Sequence, residues 1–137
     1  MDDVMKLSER DEVHVLAIIR YLDKARSFIA DMTAEAFEND EKTQMATAMA
    51  VAQAGEHVKK LSAQFRAMES ETDWKAIAGM RDWLVHAYDE IDFMELFASV
   101  RSDSRTVLDA LAKYVDTQQL QDPAPEISFD SIPMLNE

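Results

Sequence analysis

The sequence contains no cysteine, so neither disulfides nor thiolate chemistry contribute to its fold or function. All three prolines lie beyond residue 122, so the first 120 residues contain no proline that would break a helix. Glycine is also scarce, with only two in the chain. No hydrophobic run approaches the roughly 20 residues of a transmembrane helix. The start, Met1-Asp-Asp-Val, also lacks the basic residues that open a signal peptide. We therefore expect a cytoplasmic protein without a membrane segment.

Positive charge is also scarce. Lysine and arginine together number 14, against 27 aspartates and glutamates, which gives a formal net charge of −13. Broad, sequence-independent binding to nucleic acid needs a large basic surface, so this net charge argues against it. Any RNA would have to bind at a local group of basic residues. The acidic surface serves either solubility or a basic partner protein, and the sequence leaves both open.

Apolar residues recur at helical spacing over most of the chain, which predicts an all-α fold: an antiparallel bundle of four to five helices in residues 1–121. The long helices are predicted at 9–31, from about 40 to 68, at 74–89 and at 93–117. Candidate N-caps precede them, namely Ser8, the pair Asn39-Asp40, Asp73 and Asp92. A short helical turn follows Thr33. Residues 122–137 are predicted to form a proline-containing, irregular tail that packs on the bundle or docks on a partner.

The second long helix carries two further expectations. Met45 and Met49 fall on its predicted buried face, together with Ala48, Ala52, Val58, Leu61 and Phe65. Gly55 lies inside this helix, where a glycine costs roughly 1 kcal/mol relative to alanine. Close approach of a neighbouring helix would explain its presence.

The segment from Arg81 to Tyr88 combines a guanidinium, an imidazole and a phenol, which suits phosphate chemistry. On a helix, Arg81 falls on the apolar face, where burial without a partner would cost several kcal/mol. It therefore meets an acidic residue or faces a cavity or interface that receives an anion. Arg81 and His86 are about 140° apart on an ideal helix. A shared site needs a helix end near His86 or a second copy of the chain.

Each of these residues also has an ordinary structural interpretation. Arg81 could be an ion-pair partner of Glu56, and His86 a common helix-end histidine. Tyr88 could be a core residue with its hydroxyl at the rim. Asp82 either orients His86 or is solvated, and Glu56 either pairs with Arg81 or supports a dimer.

The chain resembles the HEPN superfamily, and within it the HepT-like toxins of prokaryotic toxin–antitoxin pairs. The segment Ala54-Gly55-Glu56-His57-Val58-Lys59-Lys60-Leu61-Ser62 is similar to that family's Gly-Glu-Ala helix. Trp74-Lys75-Ala76-Ile77-Ala78-Gly79-Met80-Arg81 is similar to its approach to the Arg-x4-His motif. The resemblance covers roughly residues 9–115. The family often has asparagine after the arginine, where this chain has Asp82.

The resemblance implies a homodimer in which the motif helices of two subunits form a composite endoribonuclease site. Arg81 would hold the scissile phosphate of the RNA, and His86 would act as general acid or base. No metal and no cofactor are implied. Tyr88 would accept an adenylyl group from a cognate nucleotidyltransferase antitoxin. The alternative is a catalytically silent HEPN module that uses the Arg81 pocket to bind nucleotide or a nucleotidyltransferase.

Overall fold

The computed structural model describes residues 6–121, and every regular element in that range is helical. The all-α expectation is therefore confirmed. The α-helices are α1 (Glu9–Ile29), α2 (Ala34–Glu38), α3 (Glu41–Lys59), α4 (Ala63–Met68), α5 (Trp74–His86), α6 (Phe93–Ala98), α7 (Ser104–Leu111) and α8 (Thr117–Gln121). The predicted tail, residues 122–137, lies outside the described residues.

The four predicted N-caps are confirmed, and of the pair Asn39-Asp40 it is Asp40 that caps the helix. The side chains of Ser8, Asp40, Asp73 and Asp92 each accept a hydrogen bond from a backbone N–H in the first turn of α1, α3, α5 and α6. Each bond satisfies one of the N–H groups that have no partner at a helix start. These caps fix where the long helices begin.

The end of the second predicted helix was wrong, because α3 stops at Lys59 and a separate helix, α4, begins at Ala63. Ser62 caps α4 by accepting from the N–H of Phe65. In turn, the Asp11 carboxylate on α1 accepts from both the backbone N–H and the hydroxyl of Ser62. These bonds tie the turn to α1 and satisfy its polar groups outside a continuous helix.

The later helices also end earlier than predicted. Helix α5 stops at His86, three residues short of the expected end, and a 3-10 turn follows at Tyr88–Glu90. The predicted helix at 93–117 is divided by a π-helical turn at Ser99–Asp103 and closes with a 3-10 turn at Ala112–Tyr114. At the π turn, Arg26 of α1 donates to the carbonyls of Val100 and Arg101. The tertiary contact with α1 satisfies these carbonyls at the irregular turn.

Helix α3 lies at the centre of the bundle, where it packs against α1 on one side and α5 on the other. Two apolar clusters fill these contacts. Val58, Trp74 and Ile77 belong to the first, while Ala48 and Leu84 belong to the second. The start of α5 thus shares a cluster with the end of α3, and its end shares one with the first half of α3. The two helices therefore run in opposite directions.

Met45 and Met49 are exposed, at 54% and 60%, so the prediction that they lie in the core was wrong. The buried face of α3 is formed instead by small and β-branched side chains, including Ala48, Val51 and Ala54. These residues already occupy the space between α1 and α5, and the two methionines lie on the adjoining, outward side. Among residues 6–121, no helix combines the length and apolarity needed to cross a membrane.

Candidate functional site

The contact between α3 and α5 is built around Gly55. A Cβ placed on this glycine would lie 2.4 Å from the Cβ of Arg81 and 3.1 Å from the carbonyl oxygen of Ile77. The first distance leaves no room for a methyl group, and the second would require the backbone of α5 to move by a few tenths of an ångström. The close helix approach expected from Gly55 is therefore confirmed, and its consequence is that Arg81 is held directly over α3.

Arg81 makes ion pairs with two carboxylates of its own chain. Its Nε lies 3.0 Å from Oε2 of Glu56, and its Nη1 lies 2.8 Å from Oδ1 of Asp82. The ion pair with Glu56 that the sequence left open is thus present. A guanidinium has five N–H donors in a planar fork, and these two contacts do not use them all. With its side chain 22% exposed, Arg81 is oriented by Glu56 and Asp82 and is still reached by solvent.

Asp82 also pairs with Lys59. The same oxygen that meets Arg81 lies 3.0 Å from Nζ of Lys59 on α3. Hydrogen bonds from Arg81 and Lys59 hold the pKa of the Asp82 carboxyl below its usual value. Asp82 thus joins two cations, and within residues 6–121 it makes no hydrogen bond with His86.

Lys59 was not singled out from the sequence. It lies three residues after Glu56, on the same side of α3, and that spacing was the available signal. This spacing does not by itself indicate that Lys59 belongs to the site, because its partner Asp82 is 23 residues away in the chain and is brought close only by the packing of α5 on α3. Lys60 adds a third cation, 3.9 Å from Oε1 of Glu56. Three cations therefore surround two carboxylates in a chain that is otherwise strongly acidic.

His86 is the last residue of α5, and it is exposed. Because Arg81 and His86 are far apart around a helix, the sequence predicted either a helix end near His86 or a second copy of the chain. The structure contains the helix end. Across the described part of the chain, the imidazole makes no hydrogen bond, ion pair or ring contact. Both ring nitrogens are therefore accessible to a substrate or to another protein chain.

Tyr88 is half-buried in the 3-10 turn after α5, with its ring edge-on to Phe93 at a centroid distance of 5.8 Å. Burial raises the pKa of its hydroxyl, and the negative charges of Glu41 and Asp89 add to this effect. The phenol is consequently neutral at physiological pH. This ring packing agrees with the interpretation of Tyr88 as a core residue.

An exposed apolar surface lies beside the Arg81 cluster. It is formed by Met45 and Met49 of α3 and by Val85 of α5, which is 50% exposed. Val85 follows Arg81 by four residues, and Met49 precedes Glu56 by seven, so each lies on the same side of its helix as the charged residue. We call these three residues the site-flanking apolar surface.

The described residues, 6–121, contain no group of three or more histidine, aspartate or glutamate side chains placed to hold a metal ion. A guanidinium and two ammonium groups can bind phosphate, and an accessible imidazole can transfer protons.

Comparisons with known proteins give a consistent result. A family model described as Ribonuclease HepT-like matches residues 18–117, which include Glu56, Arg81 and His86. A protein of Thermococcus cleftensis named "Probable ribonuclease HepT" is 32% identical over 99 residues, covering 72% of this chain and 88% of its own. A Methanocaldococcus jannaschii protein named "Putative RNase" is 31% identical over 84 residues, covering 61% of this chain and 72% of its own. No solved structure matches the chain.

Proposed function

This chain belongs to the HepT-like ribonuclease family, and we propose that it is an endoribonuclease that cleaves RNA without a metal ion. We further propose that it acts as a homodimer with a composite site, and that it is the toxin of a toxin–antitoxin pair neutralised by a nucleotidyltransferase. The observation that carries the proposal is the placement on α5 of an oriented Arg81 and an accessible His86 at the helix end.

The reaction follows from these two groups. His86 takes the proton of a ribose 2′-hydroxyl, or supplies one to the departing 5′-oxygen. The 2′-oxygen forms a bond to phosphorus while the bond from phosphorus to the 5′-oxygen breaks. The products are a 2′,3′-cyclic phosphate and a free 5′-hydroxyl. Arg81 donates to the non-bridging phosphate oxygens and stabilises the charge that develops on them.

A second copy of the chain completes the site in this proposal. Arg81 lies against α3 at the contact with Gly55, whereas His86 lies at the exposed end of α5. One subunit therefore does not readily direct both groups to one phosphate. The site-flanking apolar surface supports the pairing, because Met45, Met49 and Val85 would be buried when two copies face each other across it.

We also propose that Tyr88 is the acceptor of an adenylyl group delivered by the nucleotidyltransferase antitoxin. The tyrosine follows His86 by two residues, so a nucleotide on its hydroxyl would bring a phosphate and considerable bulk close to the catalytic imidazole. A negative charge there would repel the RNA phosphate, and the nucleotide would block access.

A second candidate function has one specific observation in its favour. Glu56 and Asp82 already compensate the charge of Arg81 within the chain, as they would in a module that binds a partner and cleaves nothing. On this view the protein is a catalytically silent HEPN module that binds nucleotide or a nucleotidyltransferase. The two functions differ in whether purified protein cuts RNA.

The test is incubation of end-labelled structured RNA, including tRNA, with purified protein in excess EDTA, beside His86→Ala and Arg81→Ala. Intact mass first confirms that the protein carries no adenylyl group. The endoribonuclease proposal expects wild-type cleavage that leaves 2′,3′-cyclic phosphate ends, with both variants strongly impaired. Failure of the unmodified wild type to cleave would favour the silent module.

A further inference from the structure

The charged cluster beside Arg81 contains a second cation that is suited to bind phosphate. Oδ1 of Asp82 accepts from Nη1 of Arg81 at 2.8 Å and from Nζ of Lys59 at 3.0 Å. Because one oxygen bridges both nitrogens, the two cations lie close enough to donate to a single tetrahedral anion. A phosphate oxygen is an acceptor of the same kind as this carboxylate oxygen.

We propose that Lys59 is a phosphate-binding residue of the RNA site and works alongside Arg81; this inference rests on the proposed ribonuclease function. The Asp82 carboxylate would hold the two cations at a spacing suited to phosphate while RNA is absent. Its side chain is 48% exposed, so it can turn toward solvent when a phosphate takes its place. The Lys59 side chain is 41% exposed and is also reached from solvent.

The balance of charge shows what Lys59 contributes. Arg81 faces the carboxylates of Glu56 and Asp82, so these three residues carry a net negative charge. Lys60, whose Nζ lies 3.9 Å from Oε1 of Glu56, brings the sum to zero, and Lys59 makes it positive. Rotation of Asp82 away from the cations raises the positive potential that a phosphate meets.

The test measures RNA binding as a function of salt. His86→Ala serves as a cleavage-deficient background, and Lys59→Gln, Lys59→Arg or Lys75→Gln is added to it. Lys75 is an exposed lysine on α5, so Lys75→Gln removes the same charge from the same helix as Arg81 without touching the Asp82 pair. Fluorescence anisotropy with a labelled RNA gives the slope of log affinity against log salt concentration. Thermal unfolding confirms that each variant is folded.

Lys59→Gln is expected to weaken binding about threefold to tenfold at low salt and to make the salt slope shallower by about 0.7–0.9 for each Lys59 in contact with RNA. Lys59→Arg should restore the slope, and Lys75→Gln should leave it unchanged. An unchanged slope in folded Lys59→Gln would overturn the role of Lys59 while leaving the ribonuclease proposal intact. If the His86→Ala background bound no RNA at all, both proposals would fail together.

Discussion

Gly55 on α3 and Arg81 on α5 are packed so closely that the Cβ missing from the glycine would lie 2.4 Å from the Cβ of the arginine. The contact joins the fold to the site, because the residue that permits the helix approach is the neighbour of Glu56, which pairs with Arg81. A change at Gly55 is therefore expected to affect both stability and activity.

Gly55→Ala should destabilise the protein, because either helix must shift to accept the methyl group. Overpacking of this kind costs about 1–3 kcal/mol, which outweighs the gain of about 1 kcal/mol in helix propensity. The free energy of unfolding from urea titration measures the effect. Gly79→Ala is the matched control, since nothing lies within 4 Å of a Cβ at Gly79. It should stabilise α5 by roughly 0.5–1 kcal/mol. Equal effects of the two substitutions would contradict the packing argument.

Arg81→Lys should have much lower ribonuclease activity than the wild type, although it keeps the positive charge. Arg81 contacts Glu56 through Nε and Asp82 through Nη1, and a lysine has a single nitrogen that cannot keep both contacts and meet a phosphate. We expect kcat to fall about 10²–10³-fold, as for loss of one donor to a developing oxyanion. Activity near wild type in Arg81→Lys would show that only a positive charge is needed there.

Met49→Asp should prevent formation of the proposed dimer, because it places a charge in the site-flanking apolar surface. Val13→Asp is a close control, since Val13 on α1 is also 60% exposed. Sedimentation velocity should show monomers for Met49→Asp and dimers for Val13→Asp, and RNA cleavage should be lost only in the former. A dimer that survives Met49→Asp with full activity would place the interface elsewhere on the surface.

The Tyr114 hydroxyl gives a pH prediction. Burial, with a hydrogen bond to the Glu69 carboxylate and its negative charge, raises the pKa of Tyr114 to about 12. Because this pKa is raised above that of the unfolded chain, near 10, the stabilisation is fully present below pH 10 and is lost as pH rises toward 12. Tyr114→Phe should make the alkaline fall of Tm shallower. Absorbance titration of the tyrosines would contradict the assignment if Tyr114→Phe removed no transition near pH 12.

Local features of this fold could be predicted from the sequence. The N-caps at Ser8, Asp40, Asp73 and Asp92 depend on residues within one turn, and all four were confirmed. The break after Lys59 could not be predicted in this way, because Ser62 is held by Asp11, which is 51 residues away. The exposure of Met45 and Met49 likewise depends on where α1 and α5 lie around α3.

Contacts between residues distant in the chain also limited what could be predicted of the site. Arg81 and Glu56 were recognised as possible partners from their charges, and the structure contains the pair. The bridge from Lys59 through Asp82 to Arg81 was not predicted, because it depends on the close approach that Gly55 permits. The catalytic roles of Arg81 and His86 and the modification of Tyr88 stay predictions.

The most direct test of the composite site is subunit complementation. Purified Arg81→Ala and His86→Ala proteins are assayed for RNA cleavage in EDTA, separately and after mixing under conditions that allow subunit exchange. In a composite site, each mixed dimer brings one intact Arg81 together with one intact His86. We therefore predict that each variant alone is inactive and that mixing restores cleavage in proportion to the mixed dimers formed. Mixed dimers, shown by native mass spectrometry, that remain inactive would contradict a site shared between two subunits.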